Sequence, residues 1–427
     1  MLIKTLAILL ALLALAVPVA AALGWLALAL QFLDSAMPLH RALGDIFWQT
    51  GTDFLLVAIP MFVLLGEILL RAGITERMYE GIVKWLGWLP GGLMHSNIAS
   101  SALFAATSGS SVATAATIGT VAVPQIQKRG YNEPLFLGSI AAGGTLGILI
   151  PPSINLILYG LLTETSVPEL YLAGFIPGAL LAALFMLTVI GLCVLNPGWG
   201  GARITAAWAE RWRALPALLP PLGMFAVVVG SIYAGLATPT EAASLGVVAA
   251  LALAAFNRKL TWVMLRDALE GTMRTTCMIM LLIVAAVFLN FVLSVIGLTR
   301  ALADFVTGLG WTPAQTMLMI VGALIVIGFF METLSMLLTT APLIAPVVMA
   351  LGYDPVWFGI LLMVLLETAL ITPPIGINLY VVQGIRGRGH LLEVMRGAAP
   401  FVLTMLAMIA LLLLFPNIAL YLPGLVY

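Results

Sequence analysis

The sequence predicts an all-α polytopic membrane protein made of inverted repeats, with two re-entrant helical hairpins and two broken transmembrane helices. Three observations predict it: a scarcity of charge, a self-match at a fixed offset, and basic residues gathered on one side. Of 427 residues, 62% are hydrophobic and 8% charged, where a soluble domain carries roughly 25% charged. So few charges cannot cover a water-facing surface. Apolar runs of the ~20 residues needed to cross ~30 Å of hydrocarbon recur along the chain.

The first such run extends from Thr5 to Leu30 without a charge. A cleaved signal peptide competes for it, because Lys4 precedes the run and alanines cluster at 20–22. The run exceeds a typical signal core, so it is read as a span. Net charge is zero and no basic patch carries interleaved aromatics, so the partner is the lipid bilayer and not nucleic acid. Cys193 and Cys277 stand alone in apolar segments and read as packing residues. His40, His95 and His390 are scattered without metal-ligand spacing, and no HExxH, phosphate loop or nucleophile elbow occurs. Enzyme chemistry has no obvious seat here.

Sliding the sequence against itself by 222 places sets Thr117, Pro124, Gly130, Tyr131, Pro151 and Pro152 on Thr339, Pro346, Gly352, Tyr353, Pro373 and Pro374. After the prolines a one-residue slip brings Asn155 to Asn378. A shared Gly-Tyr and a shared Pro-Pro at one offset indicate duplication.

Segments 90–128 and 311–351 are taken as re-entrant hairpins. The spans are then 5–30, 54–70, 135–160, 170–195, 215–236, 240–256, 275–297, 355–383 and 398–418. With the N-terminus inside, this threading puts 16 of the 18 Lys and Arg residues on the cytoplasmic side; Arg41 and Arg300 fall outside. The positive-inside rule is obeyed. The first hairpin ends in Lys128 and Arg129 and its counterpart at Ala350 and Leu351 is uncharged, as opposite sides require. The repeats are therefore inverted.

Each Pro-Pro removes amide donors and disrupts the helix before it. Carbonyls near 147–150 and 369–372 lose helical partners, which hydrocarbon tolerates only around a buried or polar-lined site. Such breaks suit a hard monovalent cation such as sodium, aided by the negative end of a half-helix; a kink closed by packing is the plainer reading of either break alone. The first hairpin tip, Thr107-Ser108-Gly109-Ser110-Ser111 with Thr114 and Thr117 following, offers hydroxyls and close backbone approach. A small-residue helix interface is its alternative. The second tip holds Glu332, Thr333, Ser335, Thr339 and Thr340. Glu332 and Glu367 are intramembrane carboxylates, which indicate ion or proton handling or else a protonated or backbone-bonded structural acid. Glu241 reads as a helix cap with Thr238 or Thr240. Trp25, Trp85, Trp88 and Trp357 read as interfacial anchors.

On these residues a resemblance enters. TSGSSVATAATIGT, GGTLGILIPPSI and LITPPIGIN, joined by WLGWLPGGLMHSNI, ATPTEAASLG and METLSMLL, resemble the large membrane (M) subunit of tripartite ATP-independent periplasmic transporters from about Gly51 to Gly384. The resemblance implies an elevator-type ion-transporter fold in the bacterial inner membrane, importing a carboxylate with sodium ions. It also implies two partners, a small four-helix membrane subunit and a periplasmic substrate-binding protein. The chain's length leads to the expectation that the small subunit is separate. Carried over by motif, one sodium site comprises Ser108, Ser110, Gly147, Ile150 and Pro152. The other comprises Met331, Glu332, Ala369, Thr372 and Ile375. Thr114 stands where many members have Asp, and Ala369 where Gly is frequent.

Substrate is expected at the second half-helices and first tip, on Ser153, Asn155, Thr114, Gly376 and Asn378, because no membrane-centre Arg is evident. The expected organisation is scaffold helices and an amphipathic arm in 1–89, the first transport half in 90–165, further scaffold and arm in 166–300, the second transport half in 301–385, and a C-terminal loop and helix in 386–427. Three rivals remain: a cation-coupled divalent-anion carrier that needs no binding protein, a channel, and an intramembrane enzyme.

Overall fold

The computed structural model describes residues 2–15, 17–298, 301, 308 and 310–427. Arg300 and the first residues of the second transport half, 302–307 and 309, lie outside the described residues. All regular structure among those described is helical, apart from one isolated bridge between Tyr131 and Gly200. Among the described residues six helices are long and apolar enough to cross a membrane, or eight if each bent pair counts as one span.

The first predicted span is two helices, α1 (Leu2–Ala14) and α2 (Val19–Asp34). Pro18 precedes α2 with extended backbone, φ −53° and ψ 136°, because proline brings no amide and disfavours helix in the residue before it. Then come α3 (Leu43–Thr52), α4 (Ala58–Arg71) and the amphipathic α5 (Thr75–Leu86), which buries Met78, Tyr79 and Ile82. The first hairpin is α6 (Leu93–Ser108) and α7 (Ser111–Ala122), closed by the short α8 (Gln125–Arg129).

The first broken helix is α9 (Glu133–Gly144), α10 (Leu146–Leu149) and α11 (Ile154–Thr163), bent by 42°. After α12 (Val167–Leu195) and α13 (Trp208–Ala214) run α14 (Leu219–Tyr233) and α15 (Pro239–Phe256). A capping box between Thr238 and Glu241 opens α15, the role predicted for Glu241. The next helix, α16 (Trp262–Val295), has 34 residues, about 51 Å at 1.5 Å per residue. It starts well before the predicted 275 and outruns the hydrocarbon.

The second hairpin is α17 (Pro313–Gly328) and α18 (Thr333–Ala350), and the second broken helix is α19 (Pro355–Leu370) and α20 (Ile377–Arg386). The chain ends through α21 (Leu391–Leu414) and two short turns.

The duplication is visible in the caps. Ser110 and Glu332 open α7 and α18, and Asn132 and Asp354 open α9 and α19, each by side-chain acceptance of backbone amides. Both pairs obey the 222-residue offset. The halves also cross-pack: α9 lies on α21 and α19 on α12, while α7 meets α20 and α18 meets α11. Contact between α9 and α21 needs glycine on both sides, since a methyl on Gly138 would collide with the Gly397 carbonyl. A second group, α2, α4, α14, α15 and α16, packs chiefly within itself.

Two expectations are corrected. Trp357 is no interfacial anchor: it is buried and its indole N–H donates 3.0 Å to the Leu412 carbonyl, since a buried indole must place its one donor. Cys193 is buried as predicted, but Cys277 is exposed on α16, on a face that no other described residue covers.

Candidate functional site

The first hairpin tip folds onto the first break. Gly109 ends α6 in the left-handed region (φ 61°), and a methyl there would lie 2.8 Å from the Pro152 carbonyl oxygen. Glycine alone meets both demands, conformation and space. Ser110 caps α7, accepting from Ala113 N at 3.4 Å, while Thr114 Oγ1 donates to the Ser110 carbonyl at 2.7 Å and lies 3.0 Å from Ser108 Oγ. Across the gap, a methyl on Gly147 would sit 2.7 Å from the Ser110 carbonyl oxygen. Ile150 is extended (φ −83°, ψ 120°), and the Pro151–Pro152 bond is cis. The structure thus brings Ser110 against Gly147 and Gly109 against Pro152, with Ser108 held beside them through Thr114, while the Ile150 side chain lies against Gly178 of α12. The hydroxyls and carbonyls of this tip and break are neutral oxygens of the kind a hard monovalent cation takes. Among the described residues no group of three His, Cys, Asp or Glu side chains forms a transition-metal alternative.

The second tip is built differently. Glu332 caps α18, accepting from Leu334 N and Ser335 N at 3.1 Å each and from Ser335 Oγ at 3.0 Å. Met331 is buried beside it. At the break, Thr372 Oγ1 donates 2.6 Å back to the Thr368 carbonyl, and Pro373–Pro374 is again cis. Pro373 and Pro374 are exposed, Ile375 is half-buried, and every residue from Pro151 to Gly160 is buried. What the structure sets against Ala369 is Gly328, where a methyl would lie 2.9 Å from its Cβ. The first tip is therefore seated on its break while the second break stands open.

Glu367 reaches across to the other half. It lies two residues before Ala369 at the second break and is fully buried, but its side-chain hydrogen bonds go to the first half, one of them to a backbone amide as the structural-acid reading expects. Oε1 accepts from Ser111 Oγ at 2.5 Å and from the Ile148 amide at 3.2 Å. Oε2 has no partner. At the equivalent place in the first half stands Thr145, whose hydroxyl donates to its own helix at Ala142, 2.6 Å away.

A cavity of about 390 Å³ lies between both tips, α4 and α16. Ser108, Ser110, Asn155, Glu332 and Thr333 line it, and none of its lining residues is Lys, Arg or His. Of the five residues predicted to hold substrate, Asn155 lines it, with its Nδ2 buried and without a partner among the described residues. Ser153 caps α11, and its carbonyl accepts from the Tyr171 hydroxyl at 3.4 Å. Thr114 is held within the first tip, Gly376 starts α20 at φ 41°, and Asn378 Nδ2 donates to the Ala141 carbonyl at 3.2 Å. Sequence reasoning passed over Glu67 and Thr275, which close the cavity from α4 and α16. A charge inside an apolar run could have flagged Glu67. Glu67 is ion-paired with Arg71 one turn away. Nothing in the sequence marks Thr275.

The chain matches the family model for the DctM component of tripartite ATP-independent periplasmic transporters over residues 6–418. It is 34% identical to the C4-dicarboxylate TRAP transporter large permease protein DctM of Rhodobacter capsulatus, covering 98% of both chains. It is 32% identical to the sialic acid TRAP transporter large permease protein SiaM of Vibrio cholerae, over 96% of this chain and 95% of that one. Identity is also 32% to the ectoine permease TeaC of Halomonas elongata, over 87% of each. In fold it is similar to the Alcanivorax borkumensis YdaH transporter, with a TM-score of 0.66 at 17% identity over 94% and 97% of the two chains.

Proposed function

The chain belongs to the DctM component family of tripartite ATP-independent periplasmic transporters, and from that premise we propose sodium-coupled import of a small organic acid across the bacterial inner membrane. It is a transporter subunit rather than an enzyme. In this reading it works beside a small four-helix membrane subunit and takes substrate from a periplasmic binding protein. The relatives' named substrates include C4-dicarboxylate, sialic acid and ectoine, which makes a carboxylate the substrate class. The N-terminus is cytoplasmic in the threading that obeys the positive-inside rule.

One observation supports the coupling more than any other. The central cavity has a largely apolar wall whose polar groups are hydroxyls, an amide and two carboxylates, with no basic side chain. An acid anion entering such a space keeps its charge uncompensated, which is costly away from water. Cations that travel with it remove that cost. Both tips present oxygens at the cavity wall, Ser108 and Ser110 on one and Glu332 on the other. Neutral oxygens suit sodium, and the paired helix breaks supply further carbonyls. A seated first tip and an open second break are the asymmetry expected of a carrier that exposes its site to one side at a time, in an elevator-type movement of the hairpins and broken helices against α2, α4, α15 and α16.

The test is uptake into proteoliposomes holding both membrane subunits. An inward sodium gradient and added binding protein should each be required. Uptake driven by protons without sodium overturns the ion assignment, and full uptake without binding protein favours the divalent-anion carrier. Thermal stabilisation of the binding protein by a panel of organic acids identifies the substrate.

A further inference from the structure

We propose that Glu367 is a positioning residue linking the two coupling-cation sites, so that occupancy of one alters affinity at the other; this rests on the sodium-coupled reading above. Three observations meet at this side chain. It is fully buried, it crosses between halves, and one of its oxygens holds two donors that flank the first cation site.

The peptide plane makes the link specific. The Ile148 N–H that donates to Glu367 belongs to the same planar unit as the Gly147 carbonyl, one of the expected cation ligands. Fixing that N–H fixes the direction of that carbonyl. Ser111, the other donor, follows Ser110 at the hairpin tip. Glu367 therefore holds the tip and the break in mutual register from behind, outside the cavity wall. At its own end it lies in the last turn of α19, two residues before Ala369, whose carbonyl is expected at the second cation site.

A cation drawing the Gly147 carbonyl inward must turn the Ile148 amide, and the carboxylate follows or resists. Through α19 that displacement reaches Ala369. The first half has no counterpart, because Thr145 is satisfied by its own helix. One carboxylate thus serves both sites, and its coupling must be reciprocal by linkage.

Glu367→Gln keeps the shape and one acceptor oxygen and replaces the other oxygen by an amide NH2 group. In proteoliposomes with both partner proteins, initial uptake is measured against sodium at saturating substrate. Wild type should respond sigmoidally. In Glu367→Gln the Hill coefficient should fall toward one and sodium half-saturation should rise about five-fold, with substrate KM at saturating sodium changed less than about two-fold. A role limited to stability would lower the amount of active protein and leave the sodium curve's shape alone.

If Glu367→Gln does not fold, Ser111→Ala, which deletes one of the two donors, should raise sodium half-saturation in the same direction. An unaltered sodium curve in an active variant overturns the proposal, as does a hyperbolic response of wild type. A wild type indifferent to sodium overturns the coupled reading itself, a result distinct from failure of the link.

Discussion

Asn378 Nδ2 donates a 3.2 Å hydrogen bond to the Ala141 carbonyl, tying the first turn of α20 to α9 in the opposite half. Its partner in the repeated motif, Asn155, leaves the same amide group unpartnered beside the cavity. Identical residues in matching motifs therefore hold different posts, one joining helices and one facing the space where substrate would lie.

The two asparagines should respond differently to truncation. Asn155→Ala should raise substrate half-saturation several-fold, a loss of about 1 kcal/mol in binding, with thermal stability unchanged. Asn378→Ala removes a buried inter-half bond and should cost about 1 kcal/mol of stability. Uptake kinetics and melting of the purified protein, taken together, separate them. A shift in melting for Asn155→Ala without change in KM would remove it from the site.

Gly109→Ala tests how closely the first tip is seated. The substitution forces a side chain into the left-handed region, at about 1–2 kcal/mol, and drives it against the Pro152 carbonyl. Expected is a loss of sodium-dependent uptake larger than that cost alone predicts, because the tip must lift from the break. Uptake at wild-type rates would show that the tip and break do not act together.

Glu332 caps α18 with three hydrogen bonds. Glu332→Ala should lose about 1 kcal/mol of local helix stability, and Glu332→Asn, which can still cap, should lose less. Amide hydrogen exchange at Leu334 and Ser335 reads this directly. Equal protection in all three proteins would deny the cap.

Tyr79 on the amphipathic α5 donates 2.7 Å to Asn97 Oδ1, and Asn97 Nδ2 donates 2.9 Å to Ser139. This chain fastens the arm to the first hairpin and to α9. Tyr79→Phe leaves a buried acceptor unpaired, a penalty of about 1–3 kcal/mol, and should lower the melting temperature. Retention of the wild-type melting point would mean that water replaces the phenol.

Ion pairs gather where α20 ends. Arg386, with its side chain 5% exposed, bonds Glu133 of the first half at 2.8 Å and Glu393 on α21, and Arg388 also reaches Glu133 at 2.8 Å. Arg386→Lys keeps the charge and loses the fork that spans two carboxylates, so melting should fall although net charge is unchanged. A melting point that holds in the lysine variant would make the pairing one of charge alone.

Much of this architecture is legible in the chain because it rests on local rules. Pro151, Pro152, Pro373 and Pro374 announce the breaks, since proline acts on its own backbone wherever it stands. The 222-residue offset locates the second hairpin from the first, down to the caps Ser110 and Glu332, because duplicated segments repeat their local hydrogen bonding. The break at Pro18 was equally available to that rule, and an uninterrupted apolar run concealed it.

What the sequence determined by itself is the membrane-embedded, duplicated, all-helical plan, with a polar hairpin tip and a proline break in each half. Hydropathy, proline chemistry and repeat spacing depend on neighbours along the chain. Only the tertiary structure decided that Glu367 hydrogen-bonds into the first half, that Trp357 turns inward to Leu412, that Asn155 faces the cavity while Asn378 binds Ala141, and that Glu67 and Thr275 complete the wall. Each depends on which helices come to lie side by side, and contacts across more than two hundred residues leave no period or spacing in the chain.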